Sequence, residues 1–341
     1  MISLRVPSGR ILKGFYAKWF RTELILMIIN EVKFKQRPIL IILLLILAGL
    51  QSCGGSSNTP VPPIYSPKVY LTDTFNNRVV QLDDMSGNYL YWTTLTGFAN
   101  PKGVCRYSAN GQIFVSDTGN NRVVRVNDIT GTGWTVFATS GAEMFSSPSG
   151  ISIDSYGNVY VNDTGNNRIV EIDPAGNWSL FGTTSAGNGT NKFSSPSGIY
   201  IDIANRIYIS DTGNNRVVRV NDITGTGWTV FATSGADQFS SPSGVSGDSY
   251  GNVYISDSGN NRIVEIDPAG NWSFFGTFGS GMNQFAGPQG ISVDATGIYV
   301  SDTGNNRVVR LNDMNGTGWI KLGNYGFGIN QFNQPTFAVF Q

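Results

Sequence analysis

The sequence contains no histidine, and this absence limits the chemistry open to the protein. Histidine is the side chain that titrates near neutral pH, and it is the commonest metal ligand in proteins. We therefore expect no catalytic activity and no cofactor. Carboxylates alone could hold a structural Ca²⁺ ion, but no unique Asp/Glu cluster stands out from the sequence.

Cysteine is also scarce, since Cys53 and Cys105 are the two cysteines of the chain. If Cys53 carries a lipid, as argued below, Cys105 has no disulfide partner, and the exported domain depends on its apolar core. Cys105 lies in an apolar stretch at residues 103–107 and is interpreted as a small buried side chain. A nucleophilic thiolate would need a neighbouring base, and no histidine supplies one.

Basic residues are rare beyond residue 53. Residues 1–53 hold eight Lys/Arg and two Asp/Glu, whereas the remainder holds 15 and 21. The balanced total charge therefore hides an acidic body. Nucleic-acid binding needs clustered Lys/Arg that displace counterions from phosphates, so we expect no nucleic-acid partner.

Residues 1–53 are typical of an export signal. Lys33, Lys35 and Arg37 precede an apolar run of 13 residues, 38–50, which is too short to span a bilayer comfortably. The following Leu-Gln-Ser-Cys, ending at Cys53, resembles the lipobox of bacterial lipoproteins, with Gln51 as a mild departure. That resemblance implies lipid attachment to Cys53. An uncleaved anchor and a plain secretory signal remain the alternatives.

The leader also divides the chain into regions. Met27 stands close to the ideal start for this signal, so our hypothesis is that translation begins there. Residues 54–66 are rich in Gly, Ser and Pro and are interpreted as a flexible tether. Residues 67–341 form the folded domain, which we expect to be a monomer in the bacterial cell envelope. A lipid anchor would hold it in the periplasm or at the outer surface.

The folded domain repeats one pattern six times. An Asp followed by small polar residues, an Arg and a β-branched run begins at residues 73, 117, 163, 211, 257 and 302, spaced by 44, 46, 48, 46 and 45 residues. Within one period, four short stretches of β-branched and aromatic residues are separated by Gly, Pro, Asn or Asp. This pattern predicts an all-β fold of four-stranded antiparallel blades, that is, a six-bladed β-propeller.

The two ends of the domain predict how the ring closes. Residues 68–73 read as the second strand of a blade that lacks a first strand, and residues 335–340 read as a first strand with nothing after it. Joining them completes one blade from both termini and removes two exposed sheet edges. We therefore expect Val339 to lie near Tyr70.

A resemblance to a known family supports this architecture. The segment Pro-Gln-Gly-Ile-Ser-Val-Asp-Ala-Thr-Gly-Ile-Tyr-Val-Ser-Asp-Thr-Gly-Asn-Asn-Arg-Val, residues 288–308, resembles the repeat of NHL propellers. The resemblance extends over residues 65–341 and implies a propeller fold. It leaves function open, because that family includes sensor domains, RNA binders, protein-interaction modules and a few enzymes. This chain has Asn beside the Arg where many members have histidine.

The repeated Asp and Arg have two interpretations. A ring of six carboxylates could bind a cation, but each copy brings its own Arg five residues later, which favours a structural ion pair. The structural pairs are Asp73 with Arg78, Asp117 with Arg122, Asp163 with Arg168, Asp211 with Arg216, Asp257 with Arg262, and Asp302 with Arg307.

A second repeated feature is a phenylalanine three residues before the proline that opens each blade. The six are Phe98, Phe145, Phe193, Phe239, Phe285 and Phe332. They could line a sugar-binding face, but one ring per crossing favours packing between blades.

A longer repeat shows that blades were duplicated in pairs, because residues 117–162 return nearly unchanged 94 positions later. Charges on the third strands alternate in sign as a result. These residues are Arg125, Glu171, Arg219, Glu265 and Arg310. Pairing between neighbouring blades and solvation of each charge are both open.

Positions where the blades differ are the places where one ligand could be recognised. In a propeller, the motif hairpins and the loops that enter each blade share one face. The candidate ligand-binding residues on this face are Phe75, Asn188, Lys192, Met282, Gln284, Tyr325 and Phe327. Ordinary loop variation is the alternative explanation for each.

We expect a non-catalytic binding scaffold that presents this face to a protein or glycan ligand. The alternative is an envelope hydrolase or lyase acting at the central channel, as in propeller lactonases and lyases. Enzymes of that kind use histidine as metal ligand or general base, and this chain has none.

Overall fold

The computed structural model of the chain describes residues 68–82, 85, 92–137, 144–231 and 237–340. The signal region of residues 1–53, with its lipidation site Cys53, and the tether of residues 54–66 lie outside the described residues and stay predictions. Within the described ranges, no helix has both the length and the apolar character needed to cross a membrane.

Short strands joined by tight turns make up the described chain, as the alternation of β-branched residues with Gly, Pro, Asn and Asp predicts. In chain order the strands are β1 (Val69–Asp73), β2 (Arg78–Leu82), β3 (Thr93–Thr96), β4 (Gly103–Arg106), β5 (Ile113–Asp117), β6 (Arg122–Val126), β7 (Thr135–Phe137), β8 (Pro148–Ile153), β9 (Val159–Asp163), β10 (Arg168–Ile172), β11 (Trp178–Gly182), β12 (Ile199–Ile201), β13 (Ile207–Asp211), β14 (Arg216–Val220), β15 (Thr229–Phe231), β16 (Pro242–Gly247), β17 (Val253–Asp257), β18 (Arg262–Ile266), β19 (Trp272–Phe275), β20 (Thr277–Phe278), β21 (Gln284–Phe285), β22 (Ile291–Asp294), β23 (Gly297–Asp302), β24 (Arg307–Leu311), β25 (Ile320–Leu322), β26 (Asn324–Tyr325), β27 (Gln331–Phe332) and β28 (Pro335–Phe340).

Six four-stranded antiparallel sheets contain all of these strands except two short pairs. The sheets, here called blades 1 to 6, are β28-β1-β2-β3, β4-β5-β6-β7, β8-β9-β10-β11, β12-β13-β14-β15, β16-β17-β18-β19 and β22-β23-β24-β25. The first strand of every blade contacts the first strands of both neighbouring blades. The six first strands therefore surround one axis, and the prediction of an all-β, six-bladed propeller is confirmed.

Blade 1 closes the ring in the way the chain ends predict. Strand β28 pairs antiparallel with β1, and Val339 lies directly opposite Tyr70. Without β28, the inner edge of β1 would expose unpaired backbone N–H and C=O groups. The carboxyl-terminal strand thus completes a blade whose other three strands come from the beginning of the domain.

The link between the second and third strands of each blade is a single 3₁₀ turn rather than an irregular loop. These turns span Thr74–Asn76, Thr118–Asn120, Thr164–Asn166, Thr212–Asn214, Ser258–Asn260 and Thr303–Asn305. An Asn in the left-handed conformation, with φ between 52° and 55°, ends every turn. Asn tolerates this conformation better than most residues, which explains the second Asn of the motif.

The core consists of six apolar clusters, each drawn from two neighbouring blades. The cluster between blades 4 and 5, for example, contains Tyr208 and Val217 of blade 4 and Val245 and Ile255 of blade 5. One of the six repeated phenylalanines lies in each cluster, and each is at most 7% exposed. Their rings lie 4.7–5.6 Å from a tryptophan of the same blade. The interpretation of these rings as packing between blades is confirmed.

Two short parallel pairs were not expected from the sequence. Strand β20 pairs with β21, and β26 pairs with β27, in the loops that enter blades 6 and 1. Parallel pairing brings the start and the end of each loop side by side.

Candidate functional site

The antiparallel order of the blades divides the connections between two faces. The motif hairpins and the loops entering each blade lie at one end of the strands, which we call the hairpin face. The turns between first and second strands and between third and fourth strands lie at the other end, which we call the turn face.

On the hairpin face, the motif carboxylates are buried and held by their own blades. Asp163 accepts hydrogen bonds from Arg168 Nε at 2.7 Å, from Asn166 Nδ2 at 2.9 Å and from the backbone N–H of Ser146 at 2.7 Å. The same Asp–Arg ion pair, at 2.6–2.7 Å, occurs in all six blades. Each Asp is 0% exposed. The geometry therefore assigns these carboxylates to anchoring the loop that enters the blade.

The arginine of the motif also binds this incoming loop. Arg216 donates from Nη1 to the carbonyl oxygen of Asn188 at 2.7 Å, and from Nη2 to that of Lys192 at 2.8 Å. Arg78 donates in the same way to the carbonyl oxygen of Phe327 at 2.9 Å. Each Arg thus neutralises a buried Asp and orders a loop at the same time.

The hydroxyl that follows the Asp joins one blade to the next. In every blade, the Thr or Ser side chain donates to the carbonyl oxygen of the proline that opens the following blade. The pairs are Thr74 with Pro101, Thr118 with Pro148, Thr164 with Pro196, Thr212 with Pro242, Ser258 with Pro288, and Thr303 with Pro335. The last pair returns from blade 6 to blade 1, so the ring of hydrogen bonds is complete.

Burial also affects the electrostatics of Asp73, the motif carboxylate of blade 1. Burial raises the pKa of the Asp73 carboxyl above its usual value, although hydrogen bonds from Asn333, Asn76 and Arg78 act in the opposite direction. Desolvation of a carboxylate disfavours its charged form.

Three of the predicted ligand-binding residues lie close together where blade 1 meets its incoming loop. Asn76, next to Phe75, donates from Nδ2 to the carbonyl oxygen of Gly326 at 2.8 Å. Gly326 lies between Tyr325 and Phe327. Phe75, Tyr325 and Phe327 are all at least half exposed.

The other predicted residues lie in two further loops of the hairpin face. Met282 and Gln284 belong to the loop entering blade 6, and Asn188 and Lys192 belong to the loop entering blade 4. Met282 is strongly exposed, whereas Gln284 is half-buried and accepts a hydrogen bond from the backbone N–H of Gly281 at 2.9 Å. The Gln284 side chain therefore shapes its own loop.

Sequence reasoning missed two exposed residues in these loops, Phe278 and Ile329. The loops entering blades 6 and 1 align as Gly-Thr-Phe-Gly-Ser-Gly-Met-Asn-Gln-Phe and Gly-Asn-Tyr-Gly-Phe-Gly-Ile-Asn-Gln-Phe. Phe278 corresponds to Tyr325, and Ile329 corresponds to Met282. This alignment was the available signal, because two residues already selected occupy the same positions.

The central channel narrows at the hairpin face. A cavity of about 90 Å³ there is lined by the second residue of each blade's opening segment, namely Lys102, Ser149, Ser197, Ser243, Gln289 and Thr336. Ser149 Oγ lies 2.6 Å from Thr164 Oγ1 and donates to the carbonyl oxygen of Ser197 at 3.0 Å. These hydroxyls form hydrogen bonds within the ring, and no Asp or Glu is among the described residues that line this cavity.

Neither a metal centre nor a thiol nucleophile emerges from the described chain. Among the residues that the structure describes, no three Asp, Glu, Cys or His side chains come together as a metal site. Cys105 is free and buried, and burial raises the pKa of its thiol. A thiol in such surroundings is a poor nucleophile.

Comparison with known families identifies the repeat. The family model described as "NHL repeat" matches residues 98–126, 145–172 and 193–220. Each match begins at the buried phenylalanine of an incoming loop and ends with the third strand of the same blade. Blades 2, 3 and 4 of the six-bladed propeller therefore match the NHL repeat. No curated protein matches its sequence significantly.

Solved structures share this propeller fold at low sequence identity. A chain from the crystal structure of a nidogen/laminin complex has a TM-score of 0.63 and 15% identity, covering 80% of this chain and 98% of that one. A structure of streptogramin B lyase has a TM-score of 0.54 and 18% identity, covering 81% and 87%. A catalytically inactive virginiamycin B lyase from Staphylococcus aureus with quinupristin has a TM-score of 0.53 and 18% identity, covering 78% and 87%. These structural similarities establish the fold, and they assign no activity to this chain.

Proposed function

We propose that the protein is a non-catalytic binding scaffold of the bacterial cell envelope, which presents its hairpin face to a protein or glycan ligand. The proposal rests on a group of exposed apolar side chains, which lie in the loops entering blades 6 and 1 and in the motif hairpin of blade 1. This group, here called the apolar patch, consists of Phe75, Phe278, Met282, Tyr325, Phe327 and Ile329, which are 50–73% exposed.

The composition of the apolar patch favours a protein ligand over a glycan. Aromatic residues and Met are enriched where proteins bind one another, and a few buried aromatic anchors supply most of the binding energy. The fold does not need these side chains to be apolar, because their loops are held by backbone contacts to Arg78 and Arg307. Function is therefore the better explanation for this concentration of exposed apolar surface.

The neighbouring folds include both a binding complex and lyases, so the fold by itself is compatible with either function. One belongs to a protein complex, that of nidogen with laminin. Another is a lyase whose described variant, with one histidine replaced by alanine, is catalytically inactive. The present chain has no histidine at all, so catalysis of the lyase type would need a different set of groups.

Delivery to the envelope rests on the leader. We propose that Cys53 is lipidated and that residues 54–66 tether the propeller to the membrane. Labelling with a radioactive fatty acid should succeed for the natural protein and fail for Cys53→Ser. Equal labelling of both proteins would refute the anchor.

Cross-linking pull-down from intact envelopes tests the binding function. The natural protein should capture a protein ligand, and Phe278→Ser with Phe327→Ser should reduce its yield at least about tenfold, because both aromatic anchors are lost. Tyr156→Ser, which removes a similarly exposed aromatic side chain from the turn face, is the matched control and should leave the yield unchanged. Equal capture by all three proteins would contradict the proposal. Stoichiometric bound metal that chelators remove would instead favour the enzyme alternative.

A further inference from the structure

A large cavity opens on the turn face, on the side of the propeller opposite the motif hairpins. It has a volume of about 960 Å³ and runs across blades 4, 5 and 6. Tyr200 and Ile203 of blade 4 form one wall, Tyr250 of blade 5 lies at the rim, and Asn312 and Asn315 of blade 6 lie opposite. A cavity of this size is at the upper end of the range for small-molecule sites.

Two departures from the repeat create the inner wall of this cavity. The first strands of blades 3, 5 and 6 carry Ser at the position of Tyr200, and those of blades 3, 4 and 6 carry Ile or Val at the position of Gly247. A Cβ atom at residue 247 would lie 2.6 Å from Tyr200 Cε1. The tyrosine ring therefore occupies its place because the next blade has glycine there. The two substitutions lie 47 residues apart in the chain and fit one another.

The cavity also holds polar groups that the fold leaves free. Among the described residues, neither Asp294 Oδ2 nor the side-chain amides of Asn312 and Asn315 have a hydrogen-bond partner. By contrast, Asp294 Oδ1 accepts from the backbone N–H of Thr296 at 2.7 Å. Tyr250 is 83% exposed, and only its backbone N–H is engaged, donating to Asp248 Oδ1 at 2.9 Å. A ligand with many hydroxyl or amide groups would satisfy these atoms.

The charged residues that line the cavity limit which ligands it can bind. Asp248, Glu265, Asp294 and Asp313 line the cavity, and no Lys or Arg does. Phosphorylated, sulfated and uronate-containing molecules are therefore disfavoured by repulsion. Free amides near the exposed ring of Tyr250 and the partly buried ring of Tyr200 suit the hydroxyls and the C–H faces of sugar rings, since tyrosine combines an apolar ring with a polar tip.

We infer that the turn-face cavity binds a glycan that lacks acidic groups. Tyr250 and Tyr200 contact sugar rings, and Asp294, Asn312 and Asn315 bind hydroxyl or acetamido groups. The site is independent of the protein ligand proposed for the hairpin face, so the scaffold has two different ligands on opposite sides.

The duplicated blade pair supplies a matched control. Tyr156 is the copy of Tyr250, in the same Asp-Ser-Tyr-Gly-Asn turn, with the same backbone hydrogen bond of 2.9 Å to Asp154 and with 70% exposure. Only Tyr250 lines the cavity. The probes are maltohexaose, chitohexaose and an oligogalacturonate hexamer, with binding to the full protein followed by calorimetry and by ligand-observed NMR.

At least one of the two non-acidic hexasaccharides should bind, and the oligogalacturonate should not. Tyr250→Ala should weaken binding about tenfold or more, equivalent to about 1.4 kcal/mol, whereas Tyr156→Ala should change it less than about twofold. Binding of neither non-acidic probe, preference for the uronate, or equal effects of both tyrosine variants would overturn the inference. Preferential binding of a lysine-rich peptide would overturn it as well.

A second variant tests the cavity without removing Tyr250. Tyr200→Ser combined with Gly247→Ile restores residues that other blades carry at these positions, so the variant should fold. It replaces the wall of the cavity and should abolish glycan binding while leaving capture through the hairpin face intact. Unchanged glycan affinity in this double variant would refute the assignment of the site.

Discussion

On the hairpin face the motif Asp, its two Asn and its Arg recur in every blade, and each Asp is paired with its Arg. On the turn face the blades differ, and several polar groups of the described residues have no hydrogen-bond partner. The carboxylate of Asp163 illustrates the first condition, with three donors and no exposure. Asp294 illustrates the second, with one oxygen bonded in its turn and the other free at the cavity. Repetition therefore marks the parts that hold the ring together, and irregularity marks the surfaces available to ligands.

Among variants of the two faces, removal of a motif carboxylate should cause the largest loss of stability. Asp163→Ala leaves Arg168, whose side chain is only 6% exposed, without its ion pair. We expect a loss of about 3–5 kcal/mol in the free energy of unfolding, because an unpaired charge stays buried. Urea denaturation followed by tryptophan fluorescence measures this loss.

The matched change on the turn face is Asp173→Ala, which removes an exposed carboxylate that accepts from the backbone N–H of Asn177 at 2.8 Å. Its cost in the free energy of unfolding should be much smaller than that of Asp163→Ala, because the carboxylate is accessible to water. Asp117→Ala should fall between the two, because its partner Arg122 is 25% exposed. Similar losses for all three variants would remove the distinction between the faces.

An intermediate loss of stability is expected when one of the Thr or Ser hydrogen bonds between neighbouring blades is removed. Thr303→Val removes the 2.7 Å hydrogen bond to the carbonyl oxygen of Pro335, which joins blade 6 to the closing strand. Leaving that buried carbonyl unpaired should cost about 1–3 kcal/mol.

Thr132→Val, on the turn face, removes an exposed hydrogen bond to Asp128 and should change stability by less than about 0.5 kcal/mol. Thermal unfolding of the two variants in parallel gives the comparison. A Thr303→Val protein as stable as Thr132→Val would show that the ring of hydroxyls contributes nothing to closure.

The smallest expected effect on stability concerns the Tyr160 hydroxyl, which lies between two carboxylates near the turn face. Tyr160 Oη lies 3.2 Å from Asp154 Oδ2 and 3.1 Å from Glu171 Oε1, and one phenol proton cannot serve two carboxylates. Burial, followed by the nearby Asp154 and Asp173 charges, raises the pKa of Glu171, and the hydrogen bond from Tyr160 opposes this shift.

A raised pKa in the folded state means that folding favours protonated Glu171, so stability is greatest below its unfolded pKa and falls as pH rises through the folded pKa. Glu171→Gln, which imitates the protonated form, should be more stable than the natural protein at pH 8 and equal to it at pH 4. The difference should stay below about 1 kcal/mol because the carboxyl is partly solvated.

Arg219→Gln, at the equivalent position of blade 4, is the reference variant and should change stability equally at both pH values. If Glu171→Gln also changed stability equally at both pH values, the raised pKa of Glu171 in the folded protein would be contradicted.

Much of the fold was predictable because its signals are local and repeated. The left-handed Asn of each hairpin, the Gly and Pro at strand ends and the 44–48-residue period predicted four strands per blade and six blades. Even closure was predictable, since Tyr70 and Val339 belong to half-blades that complete one another.

The candidate binding sites were harder to predict from the sequence. Phe75, Tyr325 and Phe327 could be selected as departures from the repeat, but the exposure of Phe278 and Ile329 was found in the structure. Tyr200 and Gly247 each look like ordinary variation in the sequence, and only ring geometry places one against the other. The signal region, Cys53 and the tether stay predictions from sequence.

By itself, the sequence determined the number of blades, the strands within them and the residues that bind each blade to the next, because those depend on short-range turn chemistry and on a period longer than any single element. Tertiary structure alone decided which departures from the repeat lie together. Side chains on neighbouring blades meet across about one period of the chain, and their contact depends on the curvature of the closed ring. Residue spacing carries no information about that curvature.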